Sequence, residues 1–234
     1  MPRRGRRVLL AAGAAMLGAA AFGAAAWAGH APLIIATDNS YSPPPPVILE
    51  GDLLFLDNNG MNNSHSVTAD DGGPGGGPLF DSGIVPAGAP ERAVNGTQFL
   101  EAGDYGFHCR IHPSQMQGTL QVDPSPSGPV ERPEISLKVK SKKLEKVVDS
   151  EKLKVEVTSE GPTDAEGISL KGRKGKKGVT KQKSLDLAAG DRKTTKLKLK
   201  DKAVEKLSDL DRAKLKVEGT VEFGFGDKAK RKLK

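Results

Sequence analysis

The chain has 234 residues, with 36 Lys or Arg, 29 Asp or Glu, and aromatics at only 4%. That length accommodates two domains of ordinary size. One cysteine and four histidines exclude a disulfide-stapled fold and any histidine-rich multinuclear metal cluster.

Residues 1–31 read as an export signal. Arg3, Arg4, Arg6 and Arg7 form a basic start, Val8 to Ala28 is uncharged and rich in Ala, and small residues close the segment. Ala26-Trp27-Ala28 and Gly29-His30-Ala31 are the two candidate cleavage sites. The alternative is an uncleaved anchor, since the run is about long enough to span a bilayer. Export places the mature chain in a periplasmic, cell-surface or secreted setting. A free exposed thiol would oxidise there, so the lone Cys109 needs protection, and a metal would supply it.

Residues 32–124 read as a first, all-β domain. Leu33 to Ala36, Val47 to Glu50, Leu53 to Asp57, Glu91 to Val94 and Asp104 to Cys109 are strand-like runs, and no helical period persists. Pro43 to Pro46 form an extended separator. Asp70 to Pro78 is a glycine-rich loop, expected near the metal end. It lacks the Lys-Ser/Thr and following helix of a phosphate loop. The span 32–128 holds eleven acidic and two basic residues, a net of −9.

The chemistry concentrates in Tyr105 to Gly118. Cys109, His112 and Met116 lie in one short loop between two strand-like runs. Thiolate, imidazole and thioether together suit copper. Zinc also takes Cys and His, but it favours a stronger fourth ligand than Met. His108 adjoins Cys109 and faces the other side of a strand. His30 lies in the leader, which leaves His65 as the remote imidazole. A remote His with a Cys/His/Met loop is the layout of a trigonal His2Cys site with a weak axial Met.

With Ser64-His65-Ser66-Val67-Thr68, Phe80-Asp81-Ser82-Gly83, Tyr105-x-Phe-His-Cys109-x-x-His112-Pro113 and Met116-x-Gly118-x-Leu-x-Val, residues 33–122 resemble a cupredoxin of the plastocyanin/amicyanin type. The resemblance implies an eight-stranded Greek-key sandwich and one type 1 copper held by His65, Cys109 and His112, with Met116 axial. It also implies single-electron transfer with redox protein partners that dock at the apolar surface around His112. Three residues separate His112 from Met116, where amicyanins have two and plastocyanins four, so Gln115 and Gln117 are alternative axial ligands. Ser66 stands where many relatives have Asn.

Residues 125–133, rich in proline, read as an extended linker. Residues 134–234 hold 29 Lys or Arg and 17 Asp or Glu, a net of +12. Alternation in Ile135 to Lys140, Leu153 to Val157, Lys196 to Lys200 and Lys214 to Glu218 marks strands with one wet, charged face. The expectation is a second, immunoglobulin-like β-sandwich, with one or two helical turns at Lys202 to Leu210 and a basic hairpin or loop at Gly172 to Gly178. Its charge suits anionic cell-wall polymer or lipid head groups. With only Phe223 and Phe225 as aromatics and no recognition motif, nucleic acid is not expected. No hydrolase motif appears, so an enzyme is not expected either. Copper storage or delivery, and a cell-wall-attached copper-binding protein, are the alternative functions.

Overall fold

The computed structural model describes residues 31–234. The expected export segment lies outside the described residues apart from Ala31. Among the described residues, no helix is long and apolar enough to cross a membrane.

Eight strands come first: β1 (Leu33–Thr37), β2 (Ser40–Tyr41), β3 (Ile48–Leu49), β4 (Phe55–Asn58), β5 (Thr68–Ala69), β6 (Arg92–Ala93), β7 (Gly103–His108) and β8 (Gln117–Asp123). They form two four-stranded sheets, in the orders β2-β1-β4-β6 and β3-β8-β7-β5. After the β1–β2 hairpin the chain alternates between sheets until β7 and β8 return as neighbours. Two parallel pairs result, β1 with β4 and β3 with β8. This is the crossed sandwich expected of the first half.

Alternation drives it. Ile34 and Ala36 of β1 and Leu56 of β4 point inward, opposite Phe107, Leu120 and Val122 of the facing sheet, and all are buried. Each large apolar side chain so placed contributes about 1.5–3 kcal/mol. Gly118 lies directly across from Phe107. A Cβ there would sit 2.5 Å from the Phe107 ring, so only glycine lets the ring cover β8. That ring meets Tyr41 edge-on at 5.1 Å.

The glycine-rich loop starts beside β7, where Asp70 N–H donates to Gly106 O at 3.0 Å. It turns toward the second half of the chain, where a Cβ on Gly75 would lie 2.6 Å from the Val221 carbonyl oxygen. The proline-rich segment is likewise no free spacer. Val130 N–H donates to Gln98 O at 2.9 Å, and Arg132 donates to Phe223 O at 2.8 Å while lying over the Phe99 ring.

Eight more strands follow: β9 (Glu134–Val139), β10 (Lys152–Glu160), β11 (Ala165–Lys174), β12 (Lys177–Gly178), β13 (Lys183–Leu187), β14 (Arg192–Lys198), β15 (Ala213–Thr220) and β16 (Asp227–Leu233). One sheet runs β14-β10-β9. The other runs β12-β11-β15-β16, with β13 also on β11. Every pair is antiparallel. The core between the sheets is aliphatic, with Leu153, Val155, Leu197, Leu215 and Val217 at its centre. Helix α2 (Asp201–Ser208) forms where helical turns are expected, and Gly172 to Gly178 is a hairpin bent at Gly175 (φ 59°). Helix α1 (Leu144–Asp149), unanticipated from sequence, buries Leu144 and Val147 at the same end as α2.

One buried hydroxyl stitches the first sandwich. Thr97 Oγ1 accepts from Leu54 N–H at 3.0 Å and donates to Val94 O at 3.1 Å. Replacing Thr97 with Val keeps the volume but leaves that N–H without a partner. The expected loss is about 1–3 kcal/mol, read as a lower urea midpoint in the near-UV circular dichroism of Tyr41 and Tyr105, the chain's two tyrosines. An unchanged midpoint would mean that the hydroxyl contributes nothing.

Candidate metal centre

Three of the four sequence-predicted ligands converge. Strands β7 and β5 pair with Thr68 opposite His108, which brings the end of one beside the start of the other. His65 sits just before β5, locked to Val85 by reciprocal backbone hydrogen bonds of 3.0 and 2.8 Å. Cys109 follows β7 directly. His65 Nδ1 then lies 3.8 Å from Cys109 Sγ, and His112 Nδ1 lies 3.9 Å from the same sulfur. The three ligand atoms all fall within 4.8 Å of one another. His65 and Cys109 are fully buried, and His112 is half-buried.

The loop that carries Cys109, His112 and Met116 is closed by its own backbone. Cys109 N–H donates to Met116 O at 2.9 Å, His112 N–H to Cys109 O at 3.2 Å, and Met116 N–H back to His112 O at 2.9 Å. Met116 is buried in the same cluster as Cys109. Gln115 and Gln117 are exposed, and the Gln117 amide donates to Pro113 O at 2.9 Å. His108 faces away, as its position on the strand requires. Its Nδ1 lies 2.6 Å from Asp70 Oδ1, apart from the cluster.

The spacing fits a shared metal. Bonds of about 2.0 Å to nitrogen and about 2.3 Å to sulfur, opened by about 120°, hold the ligand atoms about 3.7 Å apart. The alternative is a buried imidazole and thiol with weak hydrogen bonding, which is costly. His65 Nε2 is buried without a hydrogen-bond partner, while Nδ1 faces the cysteine sulfur with the His112 ring 5.2 Å away. Burial pushes the His65 imidazole below its ordinary value, and the neighbouring His112 adds to this, against a smaller opposing pull from Asp38. Near neutral pH His65 is therefore uncharged, the form that bonds metals.

Around the ligands lies a hydrogen-bond network that sequence reasoning caught only at Ser66. Ser66 is buried, its Oγ accepts from Arg110 N–H at 3.0 Å, and it shares a 3.1 Å hydrogen bond with Thr68 Oγ1. Thr68 Oγ1 donates to Asp81 Oδ1 at 2.9 Å, and the other Asp81 oxygen pairs with the Arg110 guanidinium. Tyr41 O–H donates to Ser66 O at 2.5 Å. Burial, followed by the charge of Cys109, raises the Tyr41 phenol far above its ordinary value, so it stays a donor. On the other side of His65, buried Asn58 donates to Asn63 O and Val85 O, each at 2.9 Å, and accepts from Gly60 N–H. Tyr41 and Asn58 carry no local signal, because their partners lie up to 27 residues away.

No family model matches the chain, and no curated protein matches it. Among solved structures it is similar to a mutant of amicyanin in its oxidized form. The two are 24% identical, over 40% of this chain and 82% of that one, with a TM-score of 0.33. Another mutant of amicyanin, in its reduced Cu(I) form at pH 4, is 25% identical over 44% of this chain and 90% of that one, with a TM-score of 0.32. A protein from Archaeoglobus fulgidus is 12% identical over 44% of this chain and 92% of that one, with a TM-score of 0.23.

Proposed function

We propose that this is an exported type 1 copper protein that carries single electrons, with His65, Cys109 and His112 as equatorial ligands and Met116 as the axial one. The convergence of two imidazole nitrogens on one buried sulfur carries the reading. Copper held there supplies a one-electron couple between Cu(II) and Cu(I). The protein's part is to keep the ligand set fixed in both states and to exclude water. Burial of His65, Cys109 and Met116 does the second. The backbone bonds across the 109–116 loop do the first. Met116 is favoured over the two glutamines because it alone of the three is buried. A thioether there also favours copper over zinc.

His112 is the ligand that reaches solvent. Exposed Ile111 and Pro113 flank it, and we place the docking surface for redox protein partners there. The net charge of −9 over residues 32–128 would speed encounter with basic partners. No enzymatic step is needed in this reading.

The Cu(II)-loaded protein is expected to be intensely coloured by thiolate-to-metal charge transfer. Cys109→Ser abolishes the colour while far-UV circular dichroism keeps the β signature. A colourless protein binding one equivalent of Cu(II) would overturn the reading. Cyclic voltammetry separates carriage from storage, since a carrier gives a reversible wave.

The axial assignment has its own test. Met116→Leu keeps the colour and moves the reduction potential, whereas Gln117→Leu leaves the potential in place. The reverse pattern would give the axial role to the glutamine.

Ser66→Ala removes the acceptor of Arg110 N–H. The metal-free protein is expected to lose about 1–3 kcal/mol, and the visible band to shift as the Cys109 loop gains freedom. A variant matching the parent in both would make Ser66 a bystander.

A further inference from the structure

The outer face of the β14-β10-β9 sheet has an unusual charge arrangement. Lys152 lies directly opposite Lys198, and Lys154 directly opposite Lys196. All four are exposed, and among the described residues none is in an ion pair. Like charges directly opposite in an antiparallel pair destabilise a sheet. The second row continues to Lys140, whose N–H bonds to Lys154 O. Beside these rows opens a groove of about 660 Å³, which Lys142, Lys143 and Lys146 also line. The acids of this face lie toward its other end, where Glu160 stands opposite Glu134. Glu156 takes Lys140 at 3.1 Å, and Asp149 sits at the groove's edge.

We propose that this lysine face and its groove bind a linear phosphate-bearing polyanion. This proposal does not depend on the metal reading. Successive rows on one face of a strand recur about every 6.8 Å, so a chain of regularly spaced anions running along β10 and β14 meets the Lys152–Lys198 pair and then the Lys154–Lys196 pair, with Glu156 opposite Thr194 in the row beyond. Lysines treat phosphate as a point charge and tolerate a flexible polymer, whereas bidentate arginine forks select one geometry. A bilayer is the poorer fit. The face carries no exposed large apolar residue, since in residues 134–234 Phe225 alone has that description and it lies outside this sheet. Single-stranded nucleic acid is disfavoured because stacking needs aromatic platforms, and this face has none.

The opposite sheet provides an internal control. Lys214 faces Lys232 and Lys216 faces Lys230 across β15 and β16, but Glu218 holds both Lys216 and Arg173 there.

The test uses the full chain and long-chain polyphosphate, titrated at several salt concentrations. Lys152, Lys154, Lys196 and Lys198 are changed together to Gln, and Lys171, Lys214, Lys230 and Lys232 form a second set of equal charge. Binding is expected in the parent, with log affinity falling linearly against log salt. The first set is expected to weaken it at least ~10-fold and to flatten the slope by about 3 (about 0.7 per contact on a single strand). The second set should change it less than ~3-fold. The first set should melt no lower than the parent, because repulsive pairs are removed. Equal losses in both sets would overturn the proposal in favour of net charge alone, as would absence of binding at low salt. Tighter binding to phosphatidylglycerol vesicles or to an oligothymidine strand would overturn it in favour of a membrane or nucleic acid.

Discussion

The candidate site depends on strand register. His65 and Cys109 are 44 residues apart, and what joins them is the pairing of Thr68 with His108 and of Ala69 with Phe107. Side chains alternate along a strand, so a slip of one residue would turn Phe107 outward and His108 inward. The fold guards against this twice. Phe107 fits only over Gly118, and Ser66 Oγ accepts specifically from the N–H of Arg110, the residue after the cysteine. The Val85 bridge then fixes His65 from its other side. Each restraint concerns packing or backbone, so the ligands can be held before any metal arrives.

Holding them early has a cost. A buried imidazole with an unpartnered Nε2 is unfavourable on its own, at about 1–3 kcal/mol. The surrounding network offsets part of that. Tyr41, Ser66, Thr68, Asp81 and Arg110 form one connected set of hydrogen bonds, and Asn58 satisfies three backbone groups beside the His65 loop. Polar satisfaction is therefore concentrated around the ligands, where an apolar core would leave the loops free to drift. If these residues hold copper as proposed, a set fixed in this way would change little between oxidation states.

The cluster of His65, Cys109 and His112 was legible in the sequence because these residue types are scarce. One cysteine, with a histidine three residues on and a methionine four beyond that, leaves few chemical readings, and His65 follows from the shortage of other imidazoles. The strands were legible wherever charged and apolar residues alternate, as in β10 and β15. What stayed hidden depends on distant partners. Tyr41 and Asn58 look like ordinary loop-edge residues until the chain is folded. Thr97 gives no sign that it bridges Leu54 and Val94. Helix α1 is under two turns long and set among lysines, so its two buried positions, Leu144 and Val147, are too few to show a period. The glycine loop reads as flexible, and its direction is set by a contact with Val221, 146 residues away from Gly75.

The two halves divide their charge in a way that bears on partners. The span 32–128 carries −9 and 134–234 carries +12. The screening length at physiological salt is about 8 Å, shorter than the width of either sandwich. Each surface therefore presents its own field to an approaching molecule, and the sum of +7 describes neither. A basic redox protein would meet the acidic sandwich at the His112 edge without being repelled by the lysine face. Under the proposed reading, opposite charge on separate surfaces would let one chain be held by an anionic partner while exchanging electrons with a basic one.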